Sequence, residues 1–167
     1  MPFNQFKTYN QLLDIVALSE RDRKHSLQLI FDRDITRNTN FKFKGKQITP
    51  TPADGVIKMD TLFAHLTTVV VDKVTRAREF EMERSKRLHW VKFHIDESKK
   101  DNMLHFSVKE PEGMRTYIYD IVEKYVIVLE PKSANHYYLL TAYYVQGKDA
   151  KRDKIMKKYK RKEAVLL

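Results

Sequence analysis

The side chains of this 167-residue chain that could do chemistry are histidine, arginine, lysine, threonine and tyrosine. Arg84, Arg87, His89 and Lys92 crowd into one stretch, Arg115 stands in a strand-length run further on, and Thr141 and Tyr143 lie in the last such run. Such a set suits RNA cleavage without a metal. The RNA 2′-hydroxyl is an internal nucleophile, so an enzyme needs a group to take its proton, a group to protonate the leaving 5′-oxygen, and cations for the charge on phosphorus. Histidine supplies either proton transfer, arginine or lysine the charge, and threonine or tyrosine hydrogen bonds to phosphate. Each also has a plain structural use: His89 as a surface residue, Thr141 as a strand former bonded within a sheet, and the tyrosines as packing.

Other chemistries are poorly served. The four glycines, Gly45, Gly55, Gly113 and Gly147, are too scattered for a P-loop or a dinucleotide fingerprint. There is no cysteine, which removes disulfide scaffolds, zinc ribbons and thiol nucleophiles. His89 and His94 are five residues apart, about 140° around a helix, and cannot chelate one ion as an i, i+4 pair would. No acidic cluster suggests a two-metal nuclease, and no serine sits in a glycine-flanked elbow. No cofactor is expected.

The elements that must position these groups follow from periodicity. Apolar residues at 9, 12, 13, 15, 16 and 18 predict a helix. Ser19, followed by Glu20 and Asp22, reads as the N-cap of a second helix running to about Phe31. Residues 37–55 read as a long polar connection. A third helix is expected from Asp60, capped by that residue, and the β-branched run Val69–Val71 either ends it or turns into strand. Arg84–Ile95 reads as one helix with core stripe Leu88, Val91 and Ile95, which places Ser85, His89, Lys92 and Asp96 on one flank and Arg87 with His94 on another. Four strand-length runs follow, 103–108, 114–121, 125–130 and 137–145, joined by links so short that they predict an antiparallel meander. The third and fourth are apolar on both faces and so are expected at the centre. Alternation puts Arg115, Tyr117 and Tyr119 on one face, and Tyr137, Leu139, Thr141 and Tyr143 on one face. Residues 148–162 carry nine basic and two acidic side chains, with Ile155, Met156 and Tyr159 on one side, and predict a basic amphipathic helix.

The expected fold is therefore α+β: N-terminal helices, then a helix packed on a four-stranded antiparallel sheet, with a basic C-terminal helix. The expected divisions are 1–55, a helical region with its connecting loop; 56–147, the α+β core; and 148–167, the basic arm. A net charge of +10, most of it in that arm, points to nucleic acid as a partner, with Arg84, Lys92, Lys151, Arg152, Lys154, Lys157, Lys158, Lys160 and Arg161 as the contacting cations. No apolar run nears the roughly 20 residues that span a bilayer, so the expectation is a cytoplasmic protein with no membrane partner.

The block Arg78-Glu-Phe-Glu-Met-Glu-Arg84-Ser-Lys-Arg87-Leu88-His89-Trp90-Val91, followed by strands ending in Tyr137-Tyr-Leu-Leu-Thr141-Ala-Tyr143, resembles the phage-borne members of the Barnase–EndoU–colicin–RelE-like (BECR-fold) nuclease superfamily. The similarity covers roughly residues 60 to 145. It implies a small metal-independent ribonuclease, toxin- or effector-like, encoded by a phage or prophage and acting in the bacterial host on RNA such as tRNA. It points to Arg84, Arg87, His89, Thr141 and Tyr143. In that scheme His89 is the general base or acid, Arg115 or Arg87 stabilises phosphate, and Thr141 orients it, with Lys92 in reserve. Members of the superfamily differ in which residues move protons, and neither the N-terminal region nor the basic tail is part of the resemblance. Two other functions fit the same residues: a nucleic-acid-binding module without catalysis, and a degenerate nuclease fold that binds an immunity or host protein. One scaffold can host all three.

Overall fold

The computed structural model describes residues 3–167. Ser19 caps the first long helix, α1 (Glu20–Phe31), its hydroxyl accepting from the Asp22 amide at 3.1 Å. Leu27, Ile30 and Phe31 form its buried stripe, and the chain then widens into a π-helical turn at Asp32–Thr36. Upstream of Ser19 the predicted helix over 9–18 does not form. That segment is extended and turned, with Leu13 and Ile15 buried and the Leu13 amide bonded to the Lys86 carbonyl. The core takes these apolar residues as alternate positions of an extended strap.

The connection 37–55 is also more ordered than its polarity suggests. It contains a hairpin, β1 (Lys42–Phe43) and β2 (Lys46–Pro50). Lys44 and Gly45 turn it with φ of +52° and +78°, the double positive φ of a tight two-residue hairpin turn. Phe43 and Ile48 are its buried residues. Next come α2 (Met59–Thr67), β3 (Thr68–Val70) and β4 (Arg78–Phe80). Asp60 lies in the first turn of α2 and does not cap it. The β-branched run becomes strand: β3 and β4 pair antiparallel, Thr68 facing Phe80, as a two-stranded arm outside the main sheet.

The expected helix 84–95 is two helices, α3 (Met82–Ser85) and α4 (Trp90–Ile95), separated by a turn at 86–89. Glu81 caps α3, its carboxylate accepting from the amides of Glu83 and Arg84. The turn voids the flank assignments, because Ser85 and Arg87 no longer share one helical axis with His89 and His94.

The meander forms as expected: β5 (Met103–Glu110), β6 (Gly113–Asp120), β7 (Tyr125–Ser133) and β8 (His136–Tyr144), each antiparallel to the next. The sheet has six strands, however, in the order β1-β2-β8-β7-β6-β5, with β2 parallel to β8. Residues from the N-terminal third thus complete a mixed sheet, with β7 and β8 central. The helices and the N-terminal strap cover one face, over Ile118, Ile127, Leu129, Tyr137, Leu139 and Ala142. The opposite face buries Phe106, Tyr117, Tyr119, Val126 and Val128.

That second face is covered by the basic arm, which is two short helices, α5 (Lys148–Arg152) and α6 (Lys154–Lys160), broken at Asp153 with φ +52°. Ile155, Met156 and Tyr159 pack on the sheet as their spacing predicts. The chain then crosses the edge strand β5. The Glu163 amide donates to the Ser107 carbonyl at 2.7 Å, and the Leu167 carbonyl accepts from Thr116 and Tyr137 on the first face. Such a strap shields an otherwise open sheet edge from pairing with another chain. No helix of the described residues is long and apolar enough to cross a membrane.

Candidate active site

The last carbonyls of a helix lack intrahelical partners and must find others. At the end of α2, Thr67 and Thr68 hydroxyls bond back to the Phe63 and Ala64 carbonyls. The His65 carbonyl turns outward to α3 and β8. Arg84 Nη1 donates to it at 2.7 Å, to the Thr68 carbonyl at 3.0 Å and to Thr141 Oγ1 at 3.3 Å. The Thr141 hydroxyl donates to the same His65 carbonyl at 3.3 Å. A cation is also favoured at the negative end of the helix dipole. From the arm, Arg78 Nε bonds the Thr68 hydroxyl at 2.7 Å and its Nη2 the Thr68 carbonyl at 2.9 Å.

A bulge in β8 shapes the other wall. The register against β7 slips so that Leu129 faces Leu139 and Val128 faces Thr141, leaving Leu140 without a partner. A bulge re-aims the side chains that follow it and frees a backbone group. The predicted common face of 137, 139, 141 and 143 is accordingly broken. Tyr137 and Leu139 enter the larger core, whereas Tyr143 turns to the second face, under the Arg84 guanidinium at 5.6 Å. The Leu140 backbone lies near the His65 ring and favours its protonated form.

His65 is therefore the titratable group of this cluster. Burial lowers its pKa below the usual histidine value, the Arg78 charge lowers it further, and the Leu140 backbone opposes them; Arg84 and Arg76 add to the lowering. The lowered pKa favours the neutral ring at neutral pH. Burial raises the Tyr143 phenol, with Asp149 contributing, so it stays protonated. Arg84 Nη2 and Arg78 Nη1 make no hydrogen bond within the described residues, and Arg84 Nε is buried without a partner. The cluster combines a neutral imidazole, arginines with unused donors, and two hydroxyls.

Of the residues singled out in the sequence, Arg84, Thr141 and Tyr143 come together here. Arg87 stands beside them, its guanidinium stacked 3.9 Å over Tyr144 and bonded to the Glu83 carboxylate at 2.9 Å. The others lie elsewhere. His89, 6% exposed, donates from Nε2 to the Thr8 carbonyl at 3.0 Å and pins the N-terminal strap. Lys92 pairs with Asp96 and Arg115 with Glu130. In the basic arm, Lys154 pairs with Asp149, and Lys158 and Arg161 meet Glu110. Lys151, Arg152, Lys157 and Lys160 form no ion pair among the described residues. Those residues also contain no group of three or more His, Asp or Glu placed to hold a metal ion.

Comparison with family models, curated proteins and solved structures yields no significant match. The cluster stands on its own chemistry.

His65 and Arg78 were missed because nothing in their spacing relates them to β8. The available signal was a histidine at the end of an apolar helix, two residues before the helix-ending Thr67-Thr68 pair. A clear expectation follows for His89: His89→Phe leaves the Thr8 carbonyl without its donor and costs about 1–3 kcal/mol, read as a lower urea midpoint.

Proposed function

We propose that this chain is a metal-independent RNA endonuclease acting through the cluster of His65, Arg78, Arg84, Thr141 and Tyr143. The observation that carries the proposal is the convergence of Arg78, Arg84 and Thr141 on the helix end that carries His65, with guanidinium donors left unused; burial and those arginines lower the His65 pKa. In this scheme His65 takes the proton of the 2′-hydroxyl as its oxygen attacks phosphorus. The P–O5′ bond breaks, giving a 2′,3′-cyclic phosphate and a 5′-hydroxyl. Arg78 and Arg84 bind the phosphorane oxygens, where fixed donors act more strongly on developing charge than water does. Thr141 orients the phosphate. Tyr143, protonated and adjacent to Arg84, is the hydroxyl donor for the leaving oxygen. The resemblance to phage-borne BECR-fold nucleases supports the same reaction, with the base moved from His89 to His65.

The test is incubation of total RNA and tRNA with the purified chain in excess EDTA. Discrete cleavage by the wild-type and His89→Phe proteins, lost with Thr141→Val, is the expected result; intact RNA at high protein concentration overturns it. A second reading, a binding module without catalysis, is favoured by the unpaired Lys151, Arg152, Lys157 and Lys160. It predicts intact RNA with salt-sensitive binding, log K falling with a slope of about −0.7 per phosphate contacted on single strands.

A further inference from the structure

Beside the cationic cluster, a cleft of about 620 Å³ opens between α1, α2 and the β3–β4 arm, within the roughly 300–1,000 Å³ of small-molecule sites. Its apolar surfaces are Leu27, Phe63 and Phe80. Phe80 remains 38% exposed, unusual for a phenylalanine beside a core. The Arg23 guanidinium lies 4.7 Å from the Phe80 ring centroid and is fixed there by bonds to the Ile15 and Val16 carbonyls at 3.1 and 3.3 Å. An aromatic ring with a rigidly held guanidinium makes a platform for a planar heterocycle. Gln28 and Asp60 at the rim offer acceptors to the edge of such a ring.

The cleft is continuous with the candidate active site through Thr68, which lines it and whose hydroxyl and carbonyl hold Arg78. Arg78 and Phe80 are alternate residues of β4, so they project from one face of the strand, about 7 Å apart along it. That separation matches the reach of a single nucleotide, from a phosphate at the arginine to a base at the ring.

We infer that this cleft is a nucleobase-binding subsite, in which a base of single-stranded RNA stacks on the face of Phe80 that Arg23 leaves open while its phosphate reaches Arg78 and Arg84. The inference rests on the ribonuclease reading for its substrate, and it assigns the arm the task of selecting an unpaired base, since a base inside a duplex presents no free face. Substrates are then loops or single strands.

Equilibrium titration of the full chain, followed by amide NMR shifts, tests it with the four nucleoside 3′-monophosphates and inorganic phosphate as probes. The nucleotides should bind more tightly than phosphate by about tenfold, the scale of one base–aromatic stack, and should shift Phe80, Thr68 and Arg23. Phe80→Leu keeps an apolar residue there and removes the stack. It should bring nucleotide affinity down to that of phosphate while phosphate binding stays unchanged. Arg23→Lys should weaken nucleotides in the same selective way. Equal affinity for nucleotides and phosphate in the wild type overturns the subsite, as does a Phe80→Leu protein that binds nucleotides as the wild type does. Phe80-dependent nucleotide binding by a chain that leaves RNA intact upholds the subsite and overturns only the cleavage reading.

Discussion

If the chain is the ribonuclease proposed, His65→Gln is expected to lower its rate of RNA cleavage by about 10²–10⁴-fold, the usual contribution of a positioned general base, with little change in melting temperature. His65 is only half-buried and glutamine is a polar side chain of similar reach, so a loss of folding is not the expected cause. The pH profile provides a second readout. Burial and the neighbouring arginines hold the His65 pKa below its ordinary value, and the base form exists above the pKa. Activity therefore persists below pH 6.5 before its acid limb appears. Arg78→Gln removes the largest lowering charge and should move that limb to higher pH as well as slowing the reaction. Full activity of His65→Gln, or an acid limb that Arg78→Gln leaves in place, would sink the assignment of His65 as base.

The largest effect on stability is expected at Asp120. Its fully buried carboxylate accepts from the Tyr9 hydroxyl, from Lys99 at 2.7 Å and from the amides of Val122 and Glu123 at 3.1 and 3.0 Å. Asp120→Ala orphans these donors and leaves Lys99 uncompensated, at a cost of about 3–5 kcal/mol, measurable by urea unfolding. It also frees the strap that carries Tyr9. His94 Nε2 lies 3.3 Å from the same carboxylate but without hydrogen-bond geometry, and the ring is buried with both nitrogens unpartnered. Burial takes its pKa down to about 4 against the pull of Asp120, with Lys99 and His105 opposing protonation too. Between about pH 6.5 and 4 the unfolded chain thus binds a proton at this histidine that the native chain refuses, and stability falls as pH drops through that window. Burial pushes the Asp120 pKa up, but Lys99 and Tyr9 outweigh it and hold it below its ordinary value. Its contribution is present above the unfolded carboxyl pKa of about 3.9 and is lost as pH falls through the lower native value. Urea midpoints of the wild type should decline from pH 7 to pH 4, and His94→Phe should flatten that decline. An equal slope in both proteins would count against a neutral buried His94.

Local physics decided much of this molecule, and the sequence exposes that part. Ser19 with Glu20 and Asp22 specifies the start of α1, because a cap and its acids lie within one turn of each other. The meander was legible for the same reason. Turn signals between β5, β6, β7 and β8 leave no room for a parallel crossover, and two-sided apolar runs place β7 and β8 in the middle. The apolar side of the basic arm, Ile155, Met156 and Tyr159, also packs as its spacing implies.

What depended on distant segments was not legible. Leu13 and Ile15 match helical and extended spacing alike, and contact with the core selects the extended form. Phe43 and Ile48 are isolated apolar residues in a polar stretch, and they become strand only because β2 finds β8 some 90 residues later. The bulge at Leu140 is invisible in an unbroken apolar run, yet it separates Tyr143 from Tyr137 and presents the Leu140 backbone to His65. By itself, the sequence determined which chemistry was available, since it contains histidine, arginine and hydroxyl groups, no cysteine and no glycine loop. Only the tertiary structure decided which histidine meets those groups. His89 is drawn under the N-terminal strap, and His65 is set against the arginines by a helix end and a strand bulge that no local spacing records.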